Sequence, residues 1–174
     1  GILRVGGNPD KIMEVKRSPE DLHAFLELHI EQGNVLHKNK LDIGVVEGIV
    51  GLKWWDVEIT GLTNHAGTTP MNDRKDAMIA AAQFVLAVNE IITKTEGAQV
   101  GTVGRIEAFP GAPNVIPGKV ILSLEIRDLD AAKIILMFKQ IEAKAHEIGK
   151  STETSFEFKP IDATAEPALT DIRI

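Results

Sequence analysis

The chain has 174 residues and a formal charge of −6, from 25 acidic and 19 basic residues without a basic block. This charge distribution excludes the electrostatic footprint of a nucleic-acid-binding protein or of one that docks on anionic membranes, and favours small molecules or proteins as partners. The absence of cysteine excludes disulfides and thiolate ligands, so any metal site must use imidazole and carboxylate groups. No apolar run approaches the ~20 residues of a membrane span, and we expect a cytoplasmic location.

The first third of the chain contains three predicted elements. A capping serine, a proline and an acid predict a short helix over 18–25. Strict alternation of apolar and polar residues then predicts a strand over 26–31, with His29 on its polar face between two glutamates. The apolar, glycine-spaced stretch IGVVEGIVG predicts a buried strand over 43–51 and a domain boundary near Gly51.

The rest of the chain follows one simple order of elements. Period-two alternation predicts strands over 52–61, 99–109, 119–128 and 153–160, and three- and four-residue spacing predicts helices over 73–96 and 130–149. The order strand, helix, strand, strand, helix, strand predicts a ferredoxin-like α+β fold, a four-stranded antiparallel sheet with both helices on one face. Glu58 and Glu125 belong to the opposite, wet face. Exposed sheet edges favour pairing into a dimer.

Two histidines are the first candidates for chemistry. His29 is either a metal ligand supported by Glu27 and Glu31 or a hydrogen-bonded structural residue. His65 lies in the loop TNHAGTTPMNDRKDA between a strand and a long helix, where functional side chains are common. The alternative is that Asn64 and Gly67 only shape this turn while Asp73 caps the helix. The residue pattern leaves both alternatives open.

Asn114 and Arg127 are the second pair of candidates. Asn114 lies between prolines in GAPNVIP, where asparagine is also a common turn residue. Arg127 ends a strand on its polar face, where a guanidinium can bind a carboxylate through two parallel hydrogen bonds. The alternative for Arg127 is a salt bridge to Asp128 or Glu125. Of the remaining histidines, His23 and His146 fall in predicted helices and His37 in no motif.

Five stretches in this order, LELHIEQG, IGVVEGIVG, NHAGTTPMNDRKDA, GAPNVIP and EIRD, resemble the amidase, hydantoinase and carbamoylase family of dinuclear zinc amidohydrolases. That family includes N-carbamoyl-L-amino-acid hydrolases, allantoate amidohydrolases and β-ureidopropionases. The resemblance implies that 1–51 belong to a catalytic α/β domain, that 52–160 form an inserted dimerisation or lid domain, and that 161–174 return to the catalytic domain. It also implies a homodimer formed through the lid domains.

The resemblance also implies a role for each candidate. His29 would bind one of two divalent metal ions, zinc or alternatively manganese, and Gln32 would contact the substrate. His65 would stabilise the oxyanion of the tetrahedral intermediate, often in the neighbouring subunit's site, while Asn114 and Arg127 would hold the polar end of a ureido substrate. The upstream histidine, bridging aspartate, paired glutamates and C-terminal histidine of the family are not found in this sequence.

The expected function is therefore that of an internal segment of a metal-dependent amidohydrolase acting on N-carbamoyl-L-amino acids or a related compound such as allantoate. Since His29 is the only ligand expected in this chain, the segment alone is predicted to be inactive. Two alternatives remain: a non-catalytic dimerisation module, and a segment of a related zinc peptidase or aminoacylase.

Overall fold

The computed structural model describes residues 1–173, which divide into two compact units. The first unit comprises Gly1–Val45 and the end of the chain from Asp171, and the second comprises Val46–Thr170. The predicted domain bounds 1–51, 52–160 and 161–174 stay predictions, and Ile174 of the last segment lies outside the described residues. Each unit is described by itself below.

The first unit contains only short helical segments. Three 3-10 helices cover Ile2–Val5, Pro9–Val15 and Pro19–Asp21, and one five-residue α-helix, α1, covers Val35–Asn39. None of residues 1–45 is buried. Local hydrogen bonds, rather than a packed core, therefore define this unit.

The helix predicted over 18–25 and the strand predicted over 26–31 are both wrong. The capping contact of the helix forms, since the Asp21 carboxylate accepts from the Ser18 N–H at 2.9 Å, but the helix ends at Asp21. A single turn fixes many dihedral angles for few hydrogen bonds, and no apolar face is buried to extend it. Within residues 1–173, no strand pairs with 26–31, and a strand without a partner leaves its backbone groups to water.

The prediction of a buried strand over 43–51 is also wrong. Only Gly48–Ile49 (β1) is a strand before Gly51, and it pairs antiparallel with Ala168–Leu169 (β8). Ile43, Val45 and Ile49 are exposed. A run of apolar residues is buried only where a second layer covers it, and the described residues supply none here.

The second unit is built on a four-stranded antiparallel sheet. Its strands are Gly51–Thr60 (β2), Val100–Phe109 (β4), Lys119–Asp128 (β6) and Ser155–Ala165 (β7), in the spatial order β4-β6-β2-β7. Two further two-residue strands, Asn64–His65 (β3) and Val115–Ile116 (β5), pair with each other beyond the Thr60 end of β2. An α+β fold with an antiparallel sheet is therefore confirmed.

Two helices cover one face of this sheet. They are Ala77–Lys94 (α2) and Ala131–Thr152 (α3). The predicted cap of α3 is confirmed, because the Asp130 carboxylate accepts from the N–H groups of Ala132 and Lys133 at 2.8 and 3.3 Å. The proposed cap of α2 at Asp73 is wrong: Asp76 accepts from Met78 N–H at 2.9 Å, and Asp73 ends a 3-10 turn.

The core lies between the sheet and the helices. All four residues predicted to face inward from β6 are fully buried, namely Val120, Leu122, Leu124 and Ile126. α2 meets the length and composition of a membrane span, with a mean hydropathy of 1.4, contrary to the expectation that no apolar run is that long. Its apolar stripe instead packs on the sheet, where the Phe84 ring lies 5.6 Å from that of Phe156. Each such buried side chain contributes about 2 kcal/mol.

The opposite face of the sheet carries charged side chains, among them the predicted Glu58 and Glu125, and the structure shows that both are paired. Glu58 accepts from Lys119 at 2.8 Å and from Lys159 at 2.9 Å, on the two neighbouring strands. These hydrogen bonds lower the pKa of the Glu58 carboxyl below its ordinary value. The charged face therefore stays open while the other face forms the core.

Candidate functional site

The turn after β3 places two predicted site residues side by side. His65 pairs with Val115 in the β3-β5 ladder, and the Ala66 N–H donates to the Asn114 carbonyl at 2.9 Å. Both His65 and Asn114 are exposed at this end of the unit. The two loops, about 50 residues apart in sequence, thus form one polar surface by backbone pairing.

Hydrogen bonds fix both the backbone and the ring of His65. Its N–H donates to the Asn64 side chain at 2.9 Å, and its carbonyl accepts from the Thr69 N–H at 3.2 Å and hydroxyl at 2.7 Å. On the ring, Nδ1 accepts from the Gly67 N–H at 3.0 Å. Asn64 and Gly67 do shape the turn, as the structural alternative held, and they also orient the imidazole with Nε2 as the uncommitted nitrogen.

Arg74 is also part of this turn, and its role there is not predicted from the sequence. Its guanidinium donates from Nη2 to the Ala66 carbonyl at 2.7 Å and to the Thr69 carbonyl at 2.9 Å, with Nε also reaching Thr69 at 3.1 Å. The side chain is partly buried. In the sequence, Arg74 stands between aspartates and resembles a surface charge, so only the fold reveals its carbonyl partners.

Arg127 lies on the charged face of the sheet and pairs with a carboxylate. Its Nε donates to Glu125, which also accepts from the Trp54 indole N–H. The hydrogen bond from Arg127 lowers the pKa of the Glu125 carboxyl and, in turn, raises that of the guanidinium. The salt-bridge alternative is thus present, with Glu125 as the partner. Both side chains remain partly exposed, at 38% for Arg127 and 25% for Glu125.

The structure does not bring Arg127 and His65 together within one chain. Arg127 pairs with Leu52 at one end of β2, whereas the ladder carrying His65 begins past Thr60 at the other end. Leu52 and Thr60 are eight residues apart, which at the rise of an extended strand corresponds to about 26 Å. Arg127 therefore lies at one end of the four-stranded sheet, and His65 lies beyond its other end.

His29 and Gln32 lie in the first unit, in a turn without regular structure. The ring nitrogen Nδ1 of His29 is 2.6 Å from the Ile30 carbonyl, a bond in which Nδ1 must be the donor. Gln32 has a φ of 52°, in the left-handed region that non-glycine residues seldom adopt outside turns and functional sites. Glu31 caps α1, accepting from the Leu36 N–H at 3.1 Å, rather than supporting His29.

The residues that the structure describes do not complete a metal site. Nδ1 donation leaves Nε2 of His29 with its lone pair available, as a metal-bound imidazole requires. Among residues 1–173, however, no three histidine, aspartate or glutamate side chains converge as a metal ion would need. One fitting ligand is present, and a full set is not.

Comparison with known proteins assigns the second unit to a family. Residues 48–153 match the family described as the peptidase dimerisation domain. The chain belongs to the peptidase dimerisation domain family. These residues include His65, Asn114 and Arg127 together with the sheet and both long helices.

Two relatives of this chain are named as amidohydrolases. This chain is 41% identical over 166 residues to N-carbamoyl-L-amino acid amidohydrolase of Geobacillus stearothermophilus, and the alignment covers 92% of this chain and 40% of the relative. It is also 41% identical over 123 residues to allantoate amidohydrolase of Escherichia coli K12, covering 71% and 30%. The resemblance inferred from the motifs is therefore confirmed.

Solved structures agree with the sequence relatives. An amidase of the hydantoinase/carbamoylase family from Burkholderia multivorans superposes with a TM-score of 0.79 at 32% identity, over 83% of this dimerisation domain chain and 35% of that chain. The chain spans 30% to 40% of the length of the relatives named here.

Proposed function

We propose that this chain is part of a metal-dependent amidohydrolase that hydrolyses N-carbamoyl-L-amino acids or a related ureido compound such as allantoate. The observation that carries the proposal is the pairing of two loops that presents the imidazole of His65 beside Asn114, with Nε2 uncommitted. The relatives named above act on ureido C–N bonds, which supports this substrate class.

His65 supplies the electrostatic part of the reaction in this proposal. Attack of water on the ureido carbon places negative charge on its oxygen, and a donor aimed at that oxygen lowers the barrier by about 3 to 4 kcal/mol. With Nδ1 accepting from Gly67, the Nε2–H of His65 is such a donor. Asn114 adds an exposed amide on the same surface, able to bind a polar end of the substrate.

Arg127 supplies recognition of a substrate carboxylate. A planar guanidinium binds a carboxylate through two parallel bonds, and the exposed part of Arg127 is available for it. Glu125 already accepts from Nε of the guanidinium, so a substrate carboxylate would join or replace Glu125. Gln32, in its left-handed turn, is the proposed contact from the first unit.

The proposed enzyme carries two divalent metal ions, zinc or manganese, of which this chain would ligate one through His29. When bound, such ions lower the pKa of a coordinated water so that hydroxide is available near neutral pH. The remaining ligands and the general base would come from outside this chain. By itself the chain is expected to be inactive, because its described residues provide no complete site.

The second unit is proposed to be a ferredoxin-like lid that forms a homodimer. Its strand order leaves β4 at a free edge of the sheet. This strand exposes Val100, Ile106 and Phe109 by 43–53%, and α2 exposes Leu86 by 72%. A sheet edge that is unpaired within the described residues and carries apolar side chains is suited to pairing with a second copy.

The separation of Arg127 from His65 favours a site shared between two subunits. About 26 Å is far longer than a carbamoyl amino acid, so one substrate cannot contact both residues of a single lid. In a two-fold dimer, each site can take His65 and Asn114 from one copy and Arg127 from the other. The proposal thus makes dimerisation a requirement for activity.

The proposal is tested on the complete open reading frame with carbamoyl amino acids, allantoate and N-acyl amino acids, with metal content measured alongside. We expect turnover of a ureido substrate, and we expect Arg127→Ala to raise KM at least tenfold. Arg105→Ala is the matched control, since Arg105 is an arginine on the same sheet that pairs with Asp56. Cleavage of acyl compounds only would support the peptidase or aminoacylase alternative, and no turnover with an intact dimer would support the association module.

A further inference from the structure

We propose that Arg74 and the Gly67 N–H are positioning groups that hold His65 as its Nε2–H tautomer, with Nε2 facing outward. The inference rests on the proposed function only for its consequence, that His65 acts as a preset hydrogen-bond donor and not as a base. The arrangement itself concerns one turn of the second unit, residues 65–74.

The first step is the hydrogen bond on the imidazole. A backbone N–H can only donate, so the 3.0 Å bond from Gly67 makes Nδ1 of His65 the acceptor. A neutral imidazole carries one proton, and an accepting Nδ1 leaves that proton on Nε2. The tautomer is therefore set by the turn that carries the ring.

The second step links the imidazole to Arg74 through one peptide group. The Gly67 N–H and the Ala66 carbonyl belong to the same planar peptide and point in opposite directions. Arg74 donates to that carbonyl at 2.7 Å, and the N–H on the other side donates to His65. By holding the oxygen, the guanidinium directs the N–H at Nδ1, and its charge polarises the peptide in the sense that strengthens the donor.

The third step is the rigidity of the turn. Arg74 also binds the Thr69 carbonyl, and Thr69 in turn donates twice to the His65 carbonyl, so both ends of the turn are tied to one guanidinium. Gly67 allows the close approach, because a Cβ there would lie 3.1 Å from Cε1 of the His65 ring. A side chain at position 67 would require the ring to shift by a few tenths of an ångström.

The inference is tested by nitrogen-15 NMR of the imidazoles in the 174-residue chain at pH 9, where an ordinary imidazole is neutral. His146, exposed on α3, is the reference in the same sample. We expect the ratio of Nε2–H to Nδ1–H tautomer to be at least about fivefold larger at His65 than at His146, the factor given by a hydrogen bond of about 1 kcal/mol. Equal ratios at the two histidines would overturn the inference.

Variants separate positioning from simple stabilisation of the fold. Arg74→Met is expected to reduce the tautomer ratio at His65 toward that of His146, whereas the neighbouring Lys75→Met, which loses only a salt bridge to Glu153, leaves it unchanged. Gly67→Ala should displace the ring and reduce the ratio in the same way. If Arg74→Met does not fold, the tautomer ratios of His65 in the unchanged chain and in Gly67→Ala still test whether the turn sets the tautomer. An unchanged ratio in a folded Arg74→Met chain would refute the role of Arg74.

This readout does not depend on hydrolysis. A chain from an active ureido hydrolase whose His65 showed mixed tautomers would contradict the inference and leave the proposed function standing. A fixed tautomer in a protein without hydrolase activity would support the inference and contradict the proposed function.

Discussion

Each of the two units of this chain carries a distinctive motif, but only the second unit has a packed core beside its motif. HIEQG lies in the first unit, where no residue from 1 to 45 is buried, whereas NHAGTTPM lies in the second, beside a sheet whose inner residues are fully buried. Within the described residues, His65 is held by four hydrogen bonds of its turn and His29 by one contact to its neighbour. A motif that identifies a function therefore need not define a rigid local structure.

The largest expected difference between the units is in amide hydrogen exchange. Amides in the middle of β6, such as those of Leu122 and Leu124, should exchange at least about a thousandfold more slowly than those of Leu28 and His29. Exchange measured by NMR or mass spectrometry on the 174-residue chain checks this. Comparable protection of the two regions would show that the first unit has a packed structure of its own.

Two phenylalanines sharpen the contrast in stability. Phe84 is fully buried and Phe25 is 79% exposed. Phe84→Ala should lower the free energy of unfolding by about 3 to 5 kcal/mol, because it leaves a cavity between α2 and the sheet. Phe25→Ala should leave it unchanged in the same denaturant titration. A comparable loss in both variants would contradict the separation of the units.

Helix caps provide a smaller test of the same comparison. Asp130→Ala removes the acceptor for two N–H groups of α3 and should lower the free energy of unfolding by about 1 kcal/mol. Glu31→Ala removes the cap of α1 and should not shift the denaturation midpoint of the second unit. If Glu31→Ala were as destabilising as Asp130→Ala, the first unit would contribute to global stability.

The smallest expected effect is a dependence on pH. Because Lys119 and Lys159 lower the pKa of Glu58 in the folded state, this carboxylate stabilises the fold above its ordinary pKa of about 4.3 and loses that contribution as the pH falls through the lowered value. Glu58→Gln should therefore weaken the fall in unfolding free energy between pH 6 and pH 3. Glu27→Gln, at an exposed position of the first unit, is the control and should leave that fall unchanged.

Regular elements of the second unit could be predicted because their signals are local. The alternation of Val120, Leu122, Leu124 and Ile126 and the cap at Asp130 require only neighbouring residues to interpret. The strand predicted around His29 failed because alternation describes how a strand is buried and does not supply the partner that pairs with it. Sequence patterns thus predicted the elements whose pairing and packing partners lie within this chain.

Candidate site residues could be named from the sequence, but their arrangement could not. His65, Asn114 and Arg127 were identified by resemblance, and the structure brings the first two together. Their separation from Arg127 depends on the register that pairs Arg127 with Leu52. The role of Arg74 depends on which carbonyls the turn presents, and no sequence pattern indicates this.

The most direct test of the shared site mixes two impaired variants of the complete protein, His65→Ala and Arg127→Ala, and assays them after subunit exchange at a substrate concentration below KM. If each site takes His65 from one copy and Arg127 from the other, half of the sites in a mixed dimer carry both intact residues. Random mixing should then restore about a quarter of the unchanged enzyme's activity. No recovery, with mixed dimers demonstrated by mass spectrometry, would contradict a site built from opposite ends of two lids.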